Sequence, residues 1–192
     1  MKAIIASDIH GNLKYMKKLE ELIQRENPNK LILLGDLYYH GPRNPIPEEY
    51  DPMEVSKILN KYKSKIIAVR GNCDAEVDNM ISEFEISKDY EEISLDGIKL
   101  YITHGHLFEK LENIIKEDYV FYGHTHIYDL TSKRINPGSV GIPKKNEEHT
   151  VILYENNMLN LINLDDFNVI DSKIIMEGKD EIWNVCESEA TF

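Results

Sequence analysis

The chain has 192 residues, 42% hydrophobic and 29% charged, which is the composition of a soluble globular protein of one domain. Its 22 basic and 34 acidic residues give a formal net charge of −12, which argues against a broad electrostatic grip on duplex nucleic acid. Two cysteines are too few for a disulfide framework, and no apolar run resembles a membrane span or a signal peptide, so we expect a cytoplasmic protein without a membrane partner.

The first half of the chain alternates strands with helices. Short apolar runs predict buried strands, and apolar residues at helical spacing predict amphipathic helices. The second helix has a clear start signal, because Asp51 can cap it, Pro52 takes the first helical position and Glu54 completes a capping box. This alternation predicts a partly parallel sheet with helices outside it. The expected strands cover 2–7, 30–34 and 65–69, and the expected helices cover 12–26 and about 51–62.

The second half changes to hairpins. Asp96-Gly97 and Asn156-Asn157 each join two strand-like segments through a tight turn. The expected strands cover 92–95, 98–103, 119–122, 150–154, 158–164 and 169–176. We therefore predict an α/β (α+β) fold of two packed, mixed sheets flanked by helices. A single domain would cover residues 1–176, and 177–192 would form a loosely docked acidic tail.

Polar residues that can bind a metal follow five of the expected strands. Ligand sites in open α/β sheets lie outside the carboxyl ends of the strands, so these segments are expected to converge. Asp8 and His10 are two residues apart, as are His124 and His126, so in extended backbone each pair faces one side and can chelate one cation. One such pair alone could be a surface loop or a core histidine, but five clusters in order indicate a site. The clusters are Asp8-Ile9-His10, Gly35-Asp36, Gly71-Asn72-Cys73-Asp74, Thr103-His104-Gly105-His106 and Gly123-His124-Thr125-His126.

This series of motifs resembles that of the calcineurin-like metallophosphoesterases, and within them the small YfcE-type bacterial and archaeal phosphodiesterases. The resemblance runs from Met1 to about Leu164, and the segment 40–45 strengthens the match to the subfamily. It implies a four-layer αββα sandwich, in agreement with the two flanked sheets predicted from periodicity.

The resemblance also implies a dinuclear metal centre that hydrolyses phosphodiesters with a metal-bound hydroxide. A shared carboxylate offsets the repulsion between two divalent ions, which together can activate water and clamp an in-line displacement. Ligands that mix oxygen and nitrogen without thiolate favour Mn²⁺, with Fe²⁺, Zn²⁺ or Ni²⁺ as alternatives. One ion would be held by Asp8, His10, Asp36 and His126, and the other by Asp36, Asn72, His104 and His124.

Other residues near these motifs have less certain roles. Much of the wider superfamily has histidine where this chain has Cys73, and a neutral thiol is the weaker proton donor. We therefore expect good activity only on esters with acidic leaving groups, unless His40 or His106 supplies the proton. Cys73 could equally be a small filler beside the metal. Arg43 could pair with a phosphate oxygen or be a solvated loop residue. Asp74 is expected to cap a short helix.

The leading hypothesis is thus a metal-dependent phosphodiesterase that acts on a small or nucleotide-like phosphodiester, with Cys73 and His106 as catalytic candidates and His40 and Arg43 as substrate-binding ones. A phosphomonoesterase with the same mechanism is the second hypothesis, because only the pocket around the metals separates the two. A non-catalytic scaffold of the retromer-subunit type is the third, although all seven ligand positions are filled here. The sequence is also compatible with a homo-oligomer.

Overall fold

Eleven strands and three α-helices appear in residues 1–115, 119–144 and 148–176, which are the residues that the computed structural model describes. The tail predicted at 177–192 lies outside these described residues. In chain order the elements are β1 (Lys2–Ala6), α1 (Leu13–Glu26), β2 (Lys30–Leu33), α2 (Pro52–Asn60), β3 (Ile66–Ala68), a 3₁₀ helix (Glu76–Met80), β4 (Tyr90–Leu95), β5 (Ile98–Thr103), α3 (Phe108–Leu111), β6 (Tyr119–Phe121), β7 (Tyr128–Asp129), β8 (Arg134–Pro137), β9 (Thr150–Glu155), β10 (Met158–Asn163) and β11 (Val169–Ile174).

The strands form two mixed sheets. The first has the order β11-β10-β9-β1-β2-β3, in which β1, β2 and β3 are parallel and the remaining neighbours are antiparallel. The second has the order β4-β5-β6-β8-β7, in which β5, β6 and β8 are parallel. Both predicted hairpins are present, and their turns at Asp96-Gly97 and Asn156-Asn157 have the positive φ angles that tight hairpin turns need.

Three apolar cores hold the layers together. Met16 of α1 and Val55 of α2 pack on the outer face of the first sheet. Ile32 and Leu100 belong to the core between the two sheets. Leu111 of α3 packs on the outer face of the second sheet. The order helix, sheet, sheet, helix is the predicted four-layer αββα sandwich, so the expected fold class is confirmed.

The predicted Asp51 cap of α2 is present, but the predicted capping box is wrong, because the Asp51 N–H donates to the Gly11 carbonyl at 2.9 Å and not to Glu54. The Asn12 side chain accepts a hydrogen bond from the Tyr15 N–H at 3.2 Å, and the Asp51 carboxylate accepts one from the Glu54 N–H at 3.0 Å. Side-chain acceptors of this kind satisfy N–H groups that have no partner within the helix. The second helix ends at Asn60, slightly earlier than expected, and a turn leads from there into β3. No helix within the described residues is both long and apolar enough to cross a membrane.

Candidate metal centre

The carboxyl ends of β1, β2 and β5 bring three buried polar side chains together. Ligand atoms of Asp8, Asp36 and His104 lie within 4.8 Å of one another. The loops that carry the first two run side by side, because the Asp8 N–H donates to the Gly35 carbonyl and the His10 N–H donates to the Asp36 carbonyl. Strands of both sheets therefore supply side chains to one place, as the sequence predicted for strand ends.

One group of ligand atoms gathers around Asp8. Its Oδ1 atom lies 3.6 Å from Nε2 of His10 and 3.3 Å from Nε2 of His126, and the two Nε2 atoms are 3.3 Å apart. The other oxygen, Oδ2, accepts hydrogen bonds from the Ser7 hydroxyl and the His124 N–H. Asp8 thus has one oxygen fixed by the protein and one that faces the two imidazoles.

A second group gathers around Asp36. Its Oδ2 atom lies 3.4 Å from Nε2 of His104 and 3.6 Å from Nε2 of His10, while its Oδ1 accepts the Cys73 N–H at 2.7 Å. Nε2 of His104 is also 3.1 Å from Oδ1 of Asn72. Asp36 therefore lies between a histidine of each proposed ion site, which is the position a bridging carboxylate would need.

His124 lies at the edge of this arrangement. Its ring centroid is 5.1 Å from that of His104, and the ring is half-buried. The structure thus gathers all seven residues proposed as metal ligands around Asp8 and Asp36, with His124 and Asn72 closest to the solvent.

The buried histidines are oriented by backbone carbonyls. Nδ1 of His10 is 2.7 Å from the Tyr39 carbonyl, Nδ1 of His104 is 2.7 Å from the Leu34 carbonyl, and Nδ1 of His126 contacts the Ile142 carbonyl. A carbonyl can only accept, so each Nδ1 carries the proton, and in the neutral ring the Nε2 lone pair faces the cluster. Metal-binding histidines are commonly fixed in this way.

The donor set fits a divalent cation. Asp8 Oδ1 is fully buried and has no hydrogen-bond donor among the described residues. When the rings are neutral, lone pairs from Asp8, His10 and His126 point at one another, and such a group needs a positive charge between them. Against the effect of burial, Asp8 and Asp36 raise the pKa of His10, so a proton supplies this charge until a bound cation displaces it. Because the donors mix carboxylate oxygen with imidazole nitrogen, a transition-metal ion fits better than Ca²⁺ or Mg²⁺.

The same charges shift the acid–base properties of the cluster. Burial opposes ionisation of Asp8, but the neighbouring imidazoles of His10, His104 and His126 hold its pKa below the usual range. Burial likewise opposes protonation of His104, yet the adjoining carboxylates of Asp36 and Asp8 raise its pKa to about 9. Burial lowers the pKa of His124 and His126. The carboxylates are thus held ionised, ready to bind a cation.

Five of the seven proposed ligands have left-handed backbone, and their φ angles lie between 49° and 68°. Residues other than glycine seldom adopt this conformation, and such strain is typical of functional sites. Residue periodicity gives no sign of it. The five are Asp8, His10, Asp36, His124 and His126.

Two glycines allow the loops to come this close. A Cβ on Gly71 would lie 2.1 Å from Oδ1 of Asp36, and a Cβ on Gly123 would lie 1.8 Å from the Ser7 hydroxyl oxygen. Any side chain at either position would therefore push a proposed ligand or its hydrogen-bond partner out of place.

A cleft of about 730 Å³ opens above the cluster. Arg43 and Cys73 line it, together with Tyr39 and Lys144. Burial, together with the charge of Asp36, raises the pKa of the Cys73 thiol to about 12, so the thiol is neutral. The structure thus places two of the four other predicted site residues at the cleft.

The other two candidates lie beside the cleft. His106 is in a neighbouring pocket with His124, and their ring centroids are 6.2 Å apart. His40 is half-buried, its ring meets those of Tyr39 and Tyr50 edge-on, and it is not among the residues that line the cleft. Nδ1 is buried without a hydrogen-bond partner in both His40 and His106, within the described part of the chain.

The predicted cap at Asp74 is wrong. Its carboxylate accepts hydrogen bonds from the N–H groups of Asp36, Leu37 and Gly71, at 2.7 to 2.8 Å. The nearby 3₁₀ helix starts instead with a hydrogen bond from the Ala75 N–H to Asp78. Asp74 therefore connects the loop after β2 to the loop after β3. The only sign of this role in the sequence is the position of Asp74 in the motif Gly71-Asn72-Cys73-Asp74.

Sequence reasoning also missed Asn136, which lies in β8 and has no motif around it. Its amide donates to the Gly123 carbonyl at 2.9 Å and to the Thr125 hydroxyl at 3.0 Å, and its oxygen accepts the Gly138 N–H. These contacts hold the segment that carries His124 and His126 against the second sheet.

Known proteins are similar to this chain in sequence and in fold. A family model described as "Calcineurin-like phosphoesterase superfamily domain" matches residues 1–158. Phosphodiesterase YfcE of Escherichia coli K12 is 41% identical over 176 residues, which cover 88% of this chain and 96% of that protein. The solved structure of that phosphoesterase superposes with a TM-score of 0.84 at 40% identity, covering 92% of this chain and all of the other.

One further relative and one solved structure of similar fold are more distant. Phosphodiesterase MJ0936 of Methanocaldococcus jannaschii is 33% identical over 135 residues, which cover 66% of this chain and 74% of that protein. Vacuolar protein sorting 29 of Cryptosporidium parvum has a TM-score of 0.61 at 14% identity, covering 93% of this chain and 98% of the other, and this likeness shows the fold alone.

Proposed function

The chain belongs to the calcineurin-like phosphoesterase superfamily, and from that membership we propose that it is a metal-dependent phosphodiesterase. The observation that carries this function is the buried Asp8 oxygen with the Nε2 atoms of His10 and His126 around it and no donor among the described residues. Such a group of lone pairs fits a cation and has no evident structural purpose.

We propose that Asp8, His10, Asp36 and His126 hold one divalent ion, and that Asp36, Asn72, His104 and His124 hold the other. When bound, such a pair supplies Lewis acidity that activates water and neutralises phosphate charge. Manganese is our proposal for the metal, because four imidazoles disfavour Mg²⁺. For the compartment we propose the cytoplasm, which rests on the sequence-based expectation alone.

The remaining residues of the site position the substrate and move protons. Arg43 lies on the cleft wall, where its guanidinium can pair with a phosphate oxygen. Cys73 lies beside Asp36 and is a neutral, weak donor, so it offers little help to a basic leaving group. We propose His106 as the proton donor for the leaving group, and His40 as a second contact to the substrate.

Paired substrates test the proposed function. Bis(p-nitrophenyl) phosphate is a diester and p-nitrophenyl phosphate a monoester with the same leaving group, so their rates separate the two activities. We expect the Mn²⁺-loaded protein to hydrolyse the diester faster, and the chelator-treated protein to be inactive until Mn²⁺ is restored. Asp8→Asn should remain inactive with Mn²⁺, while Asp166→Asn, an exposed carboxylate far from the site in sequence, should retain activity.

The other possible results of the paired-substrate test favour a different function or exclude the proposed one. A faster monoester would favour the phosphomonoesterase, and full activity after complete metal removal would exclude the metal-dependent reaction. Hydrolysis of neither ester by the Mn²⁺-loaded protein would favour the non-catalytic scaffold.

A further inference from the structure

We propose that the cleft selects phosphodiesters that carry a second anionic group, and that Arg43 and Lys144 bind this group. The inference rests on the proposed function and specifies its substrate class. It uses two cations that line the cleft together with the candidate metal ligands.

Both cations are available for a ligand. Arg43 and Lys144 are exposed, and neither has a carboxylate within ion-pair distance among the described residues. Among the other lysines and arginines of the described residues, nine have a carboxylate partner within ion-pair distance. The lysines and arginines with carboxylate partners are Lys2, Lys17, Arg25, Lys57, Lys61, Lys63, Arg70, Lys88 and Lys99.

The two cations come from separate loops that border the candidate metal centre. The Lys144 N–H donates to the His126 carbonyl at 3.3 Å. Arg43 lies on the loop whose Gly41 packs against Cys73, where a Cβ would be 3.0 Å from the sulfur. A substrate phosphate over the ligands would thus have one cation towards His126 and the other towards Cys73.

The charge balance favours a substrate with more than one negative charge. The four positive charges of two divalent ions would be balanced by the carboxylates of Asp8 and Asp36, one hydroxide and a simple phosphodiester, which is a monoanion. Arg43 can pair with an oxygen of the reacting phosphate, but together Arg43 and Lys144 add two further positive charges, which favour an ester arm that carries its own anion, such as a phosphate, carboxylate or sulfonate. In a chain of net charge −12, this local positive field would also attract such substrates to the cleft.

A matched pair of diesters tests this selection. Butyl p-nitrophenyl phosphate and 3-sulfopropyl p-nitrophenyl phosphate share a leaving group and an arm of similar length, but only the second has a charged arm. Sulfonate is a poor nucleophile, so it does not attack phosphorus itself. With the Mn²⁺-loaded protein we expect kcat/KM to favour the charged ester by about tenfold, and this preference should shrink at high salt.

Charge-removing variants locate the effect. Arg43→Met and Lys144→Met should each reduce the preference by about threefold, since each removes one ion pair with the arm. Lys30→Met is the control, because Lys30 lies at the amino end of β2, away from the carboxyl end that carries Asp36. Lys30→Met changes the net charge by the same amount, and we expect it to keep the wild-type preference for the charged ester.

Binding gives a measurement that does not depend on catalysis. Calorimetric titration with methyl butylphosphonate and methyl 3-sulfopropylphosphonate, which lack a good leaving group, should give the same order of affinities. Equal rates and affinities for the two arms would overturn the inference and leave the phosphodiesterase standing, as would a preference that survives both substitutions. If neither diester were hydrolysed and neither analogue bound, the proposed function would fail, and this inference with it.

Discussion

The two oxygens of Asp36 have different tasks. Oδ1 accepts the Cys73 N–H, which keeps the loop after β3 in place, and Oδ2 lies between Nε2 of His10 and Nε2 of His104. The carboxylate is 2% exposed, so its charge is screened very little by water. The position of Oδ2 makes Asp36 the residue best placed to serve both ions.

Asp36→Asn tests this bridging position. Asparagine preserves the shape and can still accept the Cys73 N–H, but it removes the negative charge that lets two cations lie close together. We expect the purified variant to lose more bound Mn²⁺ than Asn72→Ala or His10→Ala, each of which removes a ligand from one ion. Metal content per chain measures this, with Asp166→Asn as control. Retention of two tightly bound ions by Asp36→Asn would contradict the bridging assignment.

At the level of elements, periodicity predicted most of the fold. Strands β1, β2 and β3 and the hairpins of β4–β5 and β9–β10 are long or apolar enough to give a pattern. The unpredicted β7, β8 and α3 are about as short as β2 and β3, but polar residues interrupt them, so they lack the continuous apolar run that identified β2 and β3. The sequence also placed the proposed ligands at strand ends, but contacts between loops, such as those of Asp74 and Asn136, depend on tertiary structure.

His149 shows how a connection between elements depends on pH. The His149 ring stacks on Tyr15 of α1, and its Nδ1 donates to the Val140 carbonyl at 2.8 Å. His149 therefore connects α1 to the segment that contains Val140. Burial lowers its pKa below the ordinary value of 6.5. As the pH falls through 6.5, the unfolded chain takes up a proton that the folded chain resists, so folding stability decreases.

His149→Asn should remove this part of the pH dependence. Asparagine can still donate to the Val140 carbonyl, but it has no proton to gain. Between pH 7.5 and 5.5 we expect the variant to lose less free energy of unfolding than the wild type, by roughly 0.5 kcal/mol, since the ring is partly exposed. Urea unfolding of the Mn²⁺-loaded proteins at both pH values measures it. Equal losses would show that His149 does not titrate in this range.

For the whole molecule, the three cores and the candidate metal centre make separate contributions. The cores bury their apolar residues without help from the cluster, so the fold should form without metal. Metal should nevertheless stabilise it, because ions bound only by the folded state shift the equilibrium towards it. Buried Asp8 and Asp36 also repel each other until a cation lies between them.

Thermal unfolding with Mn²⁺ and with chelator measures this contribution. At a concentration 100 times the dissociation constant, binding contributes about 2.7 kcal/mol, and for a chain of this size Tm should rise by about 5–10 °C. Asp36→Asn should show a much smaller rise, and the circular dichroism of the chelated wild type should retain its native shape. An unchanged Tm would exclude a tight metal site.

Five proposed metal ligands have left-handed backbone, so the residues that serve catalysis lower the stability of the fold. Each non-glycine residue in this conformation costs roughly 1–2 kcal/mol, and five such costs meet at one site. With chelator present, His124→Gly should therefore unfold at higher urea than His124→Ala. At His104, whose backbone is not left-handed, the order should reverse, and the same order at both positions would refute the argument. A gene copy released from selection for catalysis would accordingly gain stability by exchanging these residues for glycine. Proteins encoded by its descendants would keep the four-layer αββα fold and lose the metal-dependent activity.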